Sequence, residues 1–350
     1  EVLDAAIESI NGGLNQYPPL PGMPILRGAI AAHQQRFYDI ELDPATEIVV
    51  TAGATEALAG ALLGMLDAGD EVIVFEPMYD SYQAGIALAA ATPVPVLLQP
   101  DLDDGIWRFD PAALRAAITD RTKFILLNTP HNPTGKVFDR GELELIAELA
   151  IEHDLIVVTD EVYEHLIFDG ASFATMAQAE PRLAQRTLTM NGVSKAYAMT
   201  GWRIGYAAGP EDMINAMYKV QSQSTSGASS ISQAAAAAAL EGPQDCVTEM
   251  RHEYQRRYRY LVDALNGIDG VDCPDCEGAF YTFPSFKAVI DRIPDVRDDI
   301  ELAAWMLEHS GVAMVPGTAF GTPGHLRLSF ATSMENLQTC VRRIRQAIEA

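Results

Sequence analysis

The sequence predicts an α/β fold, in which a mostly parallel sheet is flanked by helices and a smaller α+β domain follows. In residues 43–209, short apolar runs alternate with segments of helical periodicity, which is typical of a parallel sheet covered by helices. After residue 210 the order changes, because long helices come first and short strands follow. Neither an internal repeat nor a Gly/Ser linker separates the two parts, so we expect them to share an extensive interface.

Four continuous apolar runs mark the strands of the first part, and their lack of alternation indicates burial on both faces. The runs are residues 47–51, 71–75, 123–128 and 155–160. Between them, helical periodicity predicts helices over residues 55–66, 111–118 and 141–153. In such a fold the ligand lies at the carboxyl ends of the strands, and we expect the functional site there.

The C-terminal part begins with helices. Residues 234–239 are six consecutive alanines, which favour a helix that Gly242 and Pro243 end. The other predicted elements are a helix over residues 247–265, strands over 279–284, 312–315 and 326–330, and a closing helix over 333–349. These elements predict a second, smaller α+β domain.

The charge of the chain limits its partners. The sequence has 48 Asp and Glu against 24 Lys and Arg, a formal charge of -24 that repels phosphate backbones and anionic lipid. No apolar run reaches the ~18 residues that a membrane helix needs. We therefore expect neither nucleic acid nor membrane as a partner.

The four cysteines are too few for a disulfide scaffold, so we expect a cytoplasmic protein. Cys273 and Cys276 form the motif CPDC, but no second CxxC or HxxxH completes a zinc site. A surface turn around Pro274 is the simpler interpretation.

Lys195 differs from the other four lysines in its surroundings. Its neighbours in NGVSKAYAMTGWRIGYAAG are small, aromatic and nearly uncharged, whereas a solvated lysine usually has charged company. A lysine with a desolvated amine has a depressed pKa and can form a Schiff base with a carbonyl. The alternative is a surface lysine whose stem packs on apolar neighbours.

Asp160 ends the predicted strand LIVVTD, where a strand delivers its side chains to a ligand. Alone, it is equally well explained as the cap of the next turn. Beside Lys195, a buried carboxylate is what a pyridinium nitrogen requires, and Tyr163 is placed to reach the same ligand's phenolic oxygen. Metal coordination by Asp160, Glu161, Glu164 and His165 is the rival, but the alternation does not put four ligands on one side, so we expect no metal.

Asn132 lies in NTPHNPTGK, which starts at the last residue of a predicted strand. Pro133 holds Asn132 extended, so its amide can turn into the crevice. A plain turn-rich loop is the alternative.

Gly53, Ala54 and Thr55 join a predicted strand to a helix. Their N–H groups and the Thr55 hydroxyl can bind a phosphate at the helix N-terminus, with Arg203 supplying the counter-charge. Helix capping by Thr55 is the alternative. Neither GxGxxG nor GxxxxGK[ST] is present, which argues against a dinucleotide or nucleoside triphosphate site.

Arg327 lies on a predicted strand in HLRLSF and faces away from its two leucine neighbours. If that face points into the cleft, the planar guanidinium is suited to hold a carboxylate by two parallel hydrogen bonds. An arginine on the solvent face of an ordinary strand is the alternative.

Taken together, these residues resemble the fold-type-I, pyridoxal-phosphate-dependent class I/II aminotransferases. The resemblance rests on Asn132 in NPTG, Asp160 and Tyr163 in DEVY, Lys195 in SKAYAMTGWR and Arg327 in HLRLSF, and it runs in order over nearly the whole chain. It implies a seven-stranded, mostly parallel sheet and a homodimer whose active sites straddle the interface. We place the large cofactor-binding domain at residues 14–235 and the small domain at 236–350 together with 1–13.

The resemblance also implies a role for each residue. Lys195 would hold pyridoxal 5'-phosphate (PLP) as a Schiff base, Asp160 would pair with its pyridinium nitrogen, Asn132 and Tyr163 would bind its 3'-oxygen, and Arg327, together with Asn132, would bind the substrate. The implied phosphate ligands are Gly53, Ala54, Thr55, Arg203 and, from the partner subunit, Tyr17 in NQYPPLPG. An aromatic ring would stack on the cofactor at Tyr79.

Two branches of the family are represented. The first half resembles the succinyldiaminopimelate, kynurenine and glutamine branch, and the second half resembles bacterial aspartate aminotransferases. In the aspartate branch a Lys often stands at the position of Thr55 and a Trp at that of Tyr79, and this sequence has neither.

The resemblance implies transfer of an amino group from an L-amino acid, of aspartate type or broad range, to a 2-oxo acid such as 2-oxoglutarate. A PLP-dependent β-lyase acting on cysteine conjugates is the alternative, because it shares every cofactor residue. A non-catalytic ligand-binding domain would need a DNA-binding segment, and the sequence has no basic stretch of that kind.

Overall fold

The computed structural model describes residues 1–101, 104–168 and 170–349. Among these residues, eight strands form one large sheet and three form a small one. The strands are β1 (Ile48–Thr51), β2 (Glu71–Glu76), β3 (Thr92–Pro100), β4 (Trp107–Phe109), β5 (Thr122–Asn128), β6 (Ile156–Asp160), β7 (Thr187–Gly192), β8 (Gly205–Ala208), β9 (Tyr281–Thr282), β10 (Val315–Pro316) and β11 (Leu326–Ser329).

Thirteen α-helices are assigned in the same described residues. They are α1 (Val2–Asn11), α2 (Pro24–Tyr38), α3 (Ala54–Met65), α4 (Asp80–Leu88), α5 (Pro111–Ala117), α6 (Arg140–Glu152), α7 (Met176–Ala179), α8 (Glu211–Gln223), α9 (Ser230–Glu241), α10 (Asp245–Asn266), α11 (Lys287–Ile290), α12 (Asp299–Ser310) and α13 (Met334–Ile348). None of the described helices is long and apolar enough to cross a bilayer.

The large sheet has the strand order β1-β8-β7-β6-β5-β2-β3-β4. Strands β7, β6, β5, β2 and β3 are parallel, β8 is antiparallel to both of its neighbours, and β4 is antiparallel to β3. The predicted α/β class with a mostly parallel sheet is confirmed, and the four predicted runs form β1, β2, β5 and β6. The expected seven strands are all present, and β4 adds a short eighth strand at the edge.

Alternate residues of the central strands pack on opposite faces of the large sheet, which explains their continuous apolar sequence. On β5, Phe124 and Leu126 belong to the apolar cluster on one face, whereas Ile125 and Leu127 belong to the cluster on the other. All four side chains are at most 2% exposed. The helices that cover both faces therefore leave only the ends of the strands open to a ligand.

The predicted strands of the C-terminal part are present but shorter, as β9, β10 and β11 of an antiparallel sheet. This sheet packs with α10, α12 and α13 around an apolar core of its own. Cys273 and Cys276 lie in that core, each 3% exposed, so the expectation of a surface turn at CPDC is wrong. Burial raises the pKa of the Cys273 thiol far above its usual range, which makes it unreactive as a thiolate.

The domain division at residues 235 and 236 stays a prediction, and the packing bears on it at both ends. Ala6 of α1 lies in one apolar cluster with Ile48 of β1, Tyr206 of β8 and Ala236 of α9. This packing favours the large sheet as the body to which α1 and the end of α9 attach.

Candidate active site

A cavity of about 330 Å³ lies at the carboxyl ends of β5, β6 and β7, between the large sheet and β11 of the small sheet. Nine of the residues singled out from the sequence line it: Ala54, Thr55, Tyr79, Asn132, Asp160, Tyr163, Lys195, Arg203 and Arg327. Residues that are far apart in the sequence thus meet at the carboxyl ends of the strands, where the strand pattern predicted the site.

Lys195 follows β7 and points its amine into this cavity. Lys123, Lys219 and Lys287 are exposed, and the buried Lys136 is paired with Glu142 at 2.8 Å. The Lys195 Nζ lies instead over the rings of Tyr163 and Phe280, at 5.5 and 5.3 Å from their centroids, and no carboxylate of the described residues forms an ion pair with it. Burial lowers the pKa of this amine. Such an amine is suited to attack a carbonyl carbon.

Asp160 is the last residue of β6 and is held on both carboxylate oxygens. The Tyr82 hydroxyl donates to its Oδ2 at 2.7 Å, and the Val162 N–H donates to its Oδ1 at 3.4 Å. Burial raises the pKa of Asp160, while Tyr82, Val162 and the charge of Lys195 oppose that rise. A cationic ring nitrogen placed against this carboxylate would favour its ionised form.

A chain of hydrogen bonds links Asp160 to Arg327 through two asparagines. Asn128 donates to the backbone oxygen of Asp160 at 2.9 Å, and its own side-chain oxygen accepts from the Asn132 N–H at 2.7 Å. The Asn132 Oδ1 in turn accepts from Arg327 Nη1 at 3.0 Å. The ends of β5 and β6 and the strand β11 are therefore fixed relative to one another.

Aromatic rings hold Arg327 from two sides. Its guanidinium lies 4.5 Å from the ring centroid of Tyr281 and 4.8 Å from that of Phe320. Leu326 and Leu328 are buried on the other face of β11, as the alternation predicted. The arginine therefore faces the cavity and not solvent.

The turn from β1 into α3 lies against Arg203. Gly53 is the N-cap of α3 and has a φ of 82°, and a Cβ at this position would overlap the Arg203 guanidinium. A Cβ at Gly205 would likewise overlap the backbone of Gly53 and Ala54. Both glycines thus bring a cationic side chain and the first N–H groups of a helix together, an arrangement suited to an anion.

The lining has an unusual charge for this chain. It includes three cationic side chains, Lys195, Arg203 and Arg327, and one carboxylate, Asp160, although the whole chain carries a formal charge of -24. Arg203 and Arg327 are positioned by different parts of the fold, since one contacts the N-terminus of α3 and the other lies on β11. The cavity is suited to a ligand, or a pair of ligands, with two separate anionic groups.

A match to a family of known proteins agrees with this geometry. The family described as "Aminotransferase class I and II" matches residues 1–344. This chain belongs to the class I and II aminotransferases.

Three relatives of this aminotransferase show how far the similarity extends. An aspartate aminotransferase of Geobacillus stearothermophilus is 41% identical, over 100% of this chain and 88% of the relative. The structure of the aspartate aminotransferase from Rhizobium meliloti is 43% identical, with a TM-score of 0.94 over 99% of this chain and 87% of that one. The structure of N-succinyldiaminopimelate aminotransferase from Mycobacterium tuberculosis is 38% identical, with a TM-score of 0.93 over 99% and 89%.

These relatives confirm the family resemblance, and proteins of both branches occur among them. Each similarity covers nearly the whole chain, so neither half of this aminotransferase matches one branch alone. Because the curated relatives are transaminases, the chain is a transaminase, and nothing in these comparisons favours the β-lyase alternative.

Two expected site residues do not line the cavity. Tyr17 is 91% exposed and lies beside a different surface depression, formed with residues 225–231. Its contribution to an active site requires a partner subunit and stays a prediction. Gly53 contributes only through the backbone geometry described above.

Seven lining residues were not assigned from the sequence of this aminotransferase: the apolar Leu58 and Val162, and the polar Tyr82, Asn128, Ser194, Thr200 and Tyr281. Asn128 carried a usable signal, because it ends a predicted strand as Asp160 does. Tyr82 lies three residues after Tyr79, a spacing that places two side chains on one face of a helix. Tyr281 lies within a predicted apolar strand, where nothing in the sequence marks it as a site residue. Its hydroxyl donates a hydrogen bond to the Tyr163 hydroxyl or accepts one from it, at 3.4 Å.

Proposed function

We propose that this aminotransferase binds PLP on Lys195 and transfers the amino group of an L-amino acid to a 2-oxo acid such as 2-oxoglutarate. The observation that carries the proposal is the Lys195 amine. It is half-buried, without an ion pair among the described residues, and faces a cavity that also holds Asp160 and two arginines. A carbonyl-bearing cofactor with one anionic group, and a substrate with another, match these partners.

The lining residues fit that cofactor. The N-terminus of α3 with Thr55 and Arg203 would hold its phosphate, Asp160 would face its ring nitrogen, and Asn132 and Tyr163 would bind its 3'-oxygen. Tyr79, whose ring meets that of Tyr82 edge-on at 5.6 Å, would stack on the cofactor ring. When bound, PLP supplies an electron sink for the electron pair left at the substrate Cα.

The chain's own residues would carry out the remaining tasks. Arg327 and Asn132 orient the α-carboxylate of the substrate, and the Lys195 amine, once released, is the general base for the Cα proton. Burial lowers the pKa of this amine, which increases the share that is unprotonated and able to accept a proton. Asp160 stabilises positive charge at the ring nitrogen.

We include a homodimer in this proposal. By the family resemblance, Tyr17 of the partner subunit would supply one more phosphate ligand at the α3 end of the cavity. A cytoplasmic location is consistent with the absence of any disulfide among the described residues. The donor would be aspartate or a broad range of amino acids, since Thr55 and Tyr79 replace the Lys and Trp of the aspartate branch.

The test is a product assay with the purified, PLP-loaded enzyme. We expect glutamate to form from 2-oxoglutarate and an amino donor, with ping-pong kinetics, across a panel of aspartate, glutamine, methionine, aromatic amino acids and succinyldiaminopimelate. Donor turnover should stop when 2-oxoglutarate is left out. Steady release of pyruvate and ammonia from a cysteine conjugate without a 2-oxo acid would establish the lyase instead.

Substitution of Arg327 should remove recognition of the α-carboxylate. Loss of a bidentate, charge-assisted contact that leaves an anion unpaired costs ~2 to 5 kcal/mol. We expect kcat/KM for an L-amino acid to fall in Arg327→Ala by the factor that corresponds to this free energy. It should also fall in Arg327→Lys, which keeps the charge but loses the planar guanidinium that forms two parallel hydrogen bonds. Cofactor affinity should change far less.

The decisive comparison is between an amino acid and its decarboxylated amine. Wild type should prefer the acid strongly, the Arg327 variants should lose most of that preference, and the exposed Arg256→Ala should behave as wild type. Equal discrimination by wild type and Arg327→Ala would assign the carboxylate to another group, Arg203 being the next choice.

A further inference from the structure

A second cluster of polar side chains lies outside the cavity, and we call it the His33 cluster. It consists of His33 on α2 with Glu164 and His165 in the turn after β6. The His33 Nε2 lies 2.9 Å from the His165 Nε2 and 3.4 Å from the Glu164 Oε1, and the third side of this triangle, from His165 Nε2 to Glu164 Oε1, is 3.6 Å. Three potential donor atoms thus converge on one point.

The size of this triangle suits a metal ion. Two ligand atoms bound at about 2.1 Å to one tetrahedral ion lie roughly 3.4 Å apart, and the three measured separations fall on either side of that value. A hydrogen bond between the imidazoles explains the shortest separation alone. The carboxylate oxygen also approaches both rings, at separations that a shared ion would give.

The side chains of His33 and Glu164 are buried, and each has one polar atom without a hydrogen-bond partner among the described residues. The side chains of His33 and Glu164 are 1% and 4% exposed. Among the described residues, no hydrogen bond reaches His33 Nδ1 or Glu164 Oε2, although both atoms are buried. Unsatisfied buried polar atoms of this kind call for an occupant.

The charge around the cluster also favours a cation. Glu161 is fully buried beside Glu164, and its backbone oxygen accepts from the Glu164 N–H at 2.9 Å. No Lys or Arg of the described residues forms an ion pair with either carboxylate. Arg36 is close enough to His33 to affect it electrostatically, but its guanidinium stacks on the Phe37 ring and donates to the Leu240 carbonyl. Two buried carboxylates without a cationic partner are costly.

The rings of the cluster are held in place before any ion arrives. Phe37 packs against both imidazoles, with ring centroids 4.7 Å from that of His33 and 4.7 Å from that of His165. His165 is 12% exposed in its side chain, which leaves a path from the cluster to solvent. A rigid set of two imidazoles and one carboxylate with an open position suits Zn²⁺.

We propose that His33, Glu164 and His165 bind one divalent transition-metal ion, with Zn²⁺ as the best match. The site would join α2 to the turn that follows β6. Because Tyr163 lies in the same turn, next to Glu164, the ion would help to fix the position of this cavity residue. This proposal departs from the expectation that the chain binds no metal, and it does not rest on the proposed cofactor. The sequence hides the site because His33 lies 132 residues before His165.

The test measures metal content in the PLP-loaded enzyme. The protein is treated with a chelator, incubated with Zn²⁺, freed of excess metal by gel filtration and analysed by mass spectrometry, and its thermal midpoint is recorded with and without Zn²⁺. We expect one Zn²⁺ per chain and a higher midpoint with the metal. In His33→Gln and His165→Gln, the affinity should fall by at least the roughly 100-fold that loss of a supporting group causes.

His153→Gln is the matched control, because it removes an exposed imidazole at the end of α6. It should retain wild-type stoichiometry, and both cluster variants should keep the wild-type midpoint in chelator, which shows that they fold. A wild-type protein that elutes without metal would overturn the proposal. So would equal Zn²⁺ retention by wild type and both cluster variants.

Discussion

Lys195→Ala is expected to abolish both the visible absorbance of the lysine-bound cofactor and transamination. The reason is that Lys195 supplies two functions at once, the covalent anchor and the general base. Loss of a general base alone costs up to about 10⁴-fold in rate, so we expect kcat to fall by that factor or more. Lys195→Arg keeps the positive charge but cannot form a Schiff base, and it should be as inactive as the alanine variant.

The measurement is borohydride reduction followed by peptide mapping of the labelled lysine, together with the rate. Lys123→Ala is the matched control, because this lysine is exposed on β5, and it should retain both label and activity. Lys136 is buried, but its ammonium group forms an ion pair with Glu142, which favours the charged form that cannot attack a carbonyl. A reducible cofactor at Lys123, Lys136, Lys219 or Lys287 in Lys195→Ala would refute the assignment.

Asp160→Ala should still bind the cofactor while losing turnover. The carboxylate contacts no part of the phosphate site, so the anchoring groups at Thr55, Arg203 and Lys195 stay in place. Removing one preorganised charge from an active site typically costs about 10³-fold in kcat, and we expect a loss of that order. Absorbance titration gives the cofactor affinity, steady-state assays give kcat, and the exposed Asp212→Ala on α8 should match wild type. A kcat near that of wild type in Asp160→Ala would rule out the pairing with the ring nitrogen.

Tyr82→Phe tests the same carboxylate in a graded way. The Tyr82 hydroxyl stabilises the ionised form of Asp160, and its loss raises the pKa of Asp160 further. A hydrogen bond to a charged group contributes about 1.5–3 kcal/mol, so the loss of this one removes a substantial part of what stabilises the ionised form. The acidic limb of the kcat profile should therefore move to higher pH. Tyr260→Phe, a phenol on α10 outside the cavity, should leave the profile unchanged.

Strands buried on both faces could be read directly from the sequence, because burial makes them continuous apolar runs. Other strands lack that pattern. Strand β3 contains Pro93 and Pro95, which normally exclude a central strand. They are tolerated because β4 pairs with β3 only at Leu98–Pro100, so the part of β3 with Pro93 and Pro95 has β2 as its one neighbour in the sheet. Strand β8 ends in two alanines. Such small side chains can pack between β1 and β7, but they do not form the continuous run of large apolar residues that marks a buried strand in the sequence.

The site residues that could be found are those whose position in a motif carries information. Asp160 ends a predicted strand, Asn132 follows another, and Lys195 stands out by the lack of charge around it. Tyr82 could not be assigned a partner, because its hydrogen bond joins α4 to β6 over 78 residues of sequence. The His33 cluster was missed for the same reason. One-dimensional spacing shows neighbours on one element, whereas these contacts exist only after the sheet has assembled.

The hydrogen bond from Arg327 to Asn132 has a consequence for how tightly a substrate binds. An arginine that is ordered only when its ligand arrives loses rotamer freedom at that moment, and the loss weakens binding. Here two aromatic rings and the Asn132 amide order the guanidinium on folding. Little further conformational entropy is lost when a carboxylate docks, so even a small amino acid, which has few atoms to contact the protein, can bind with useful affinity.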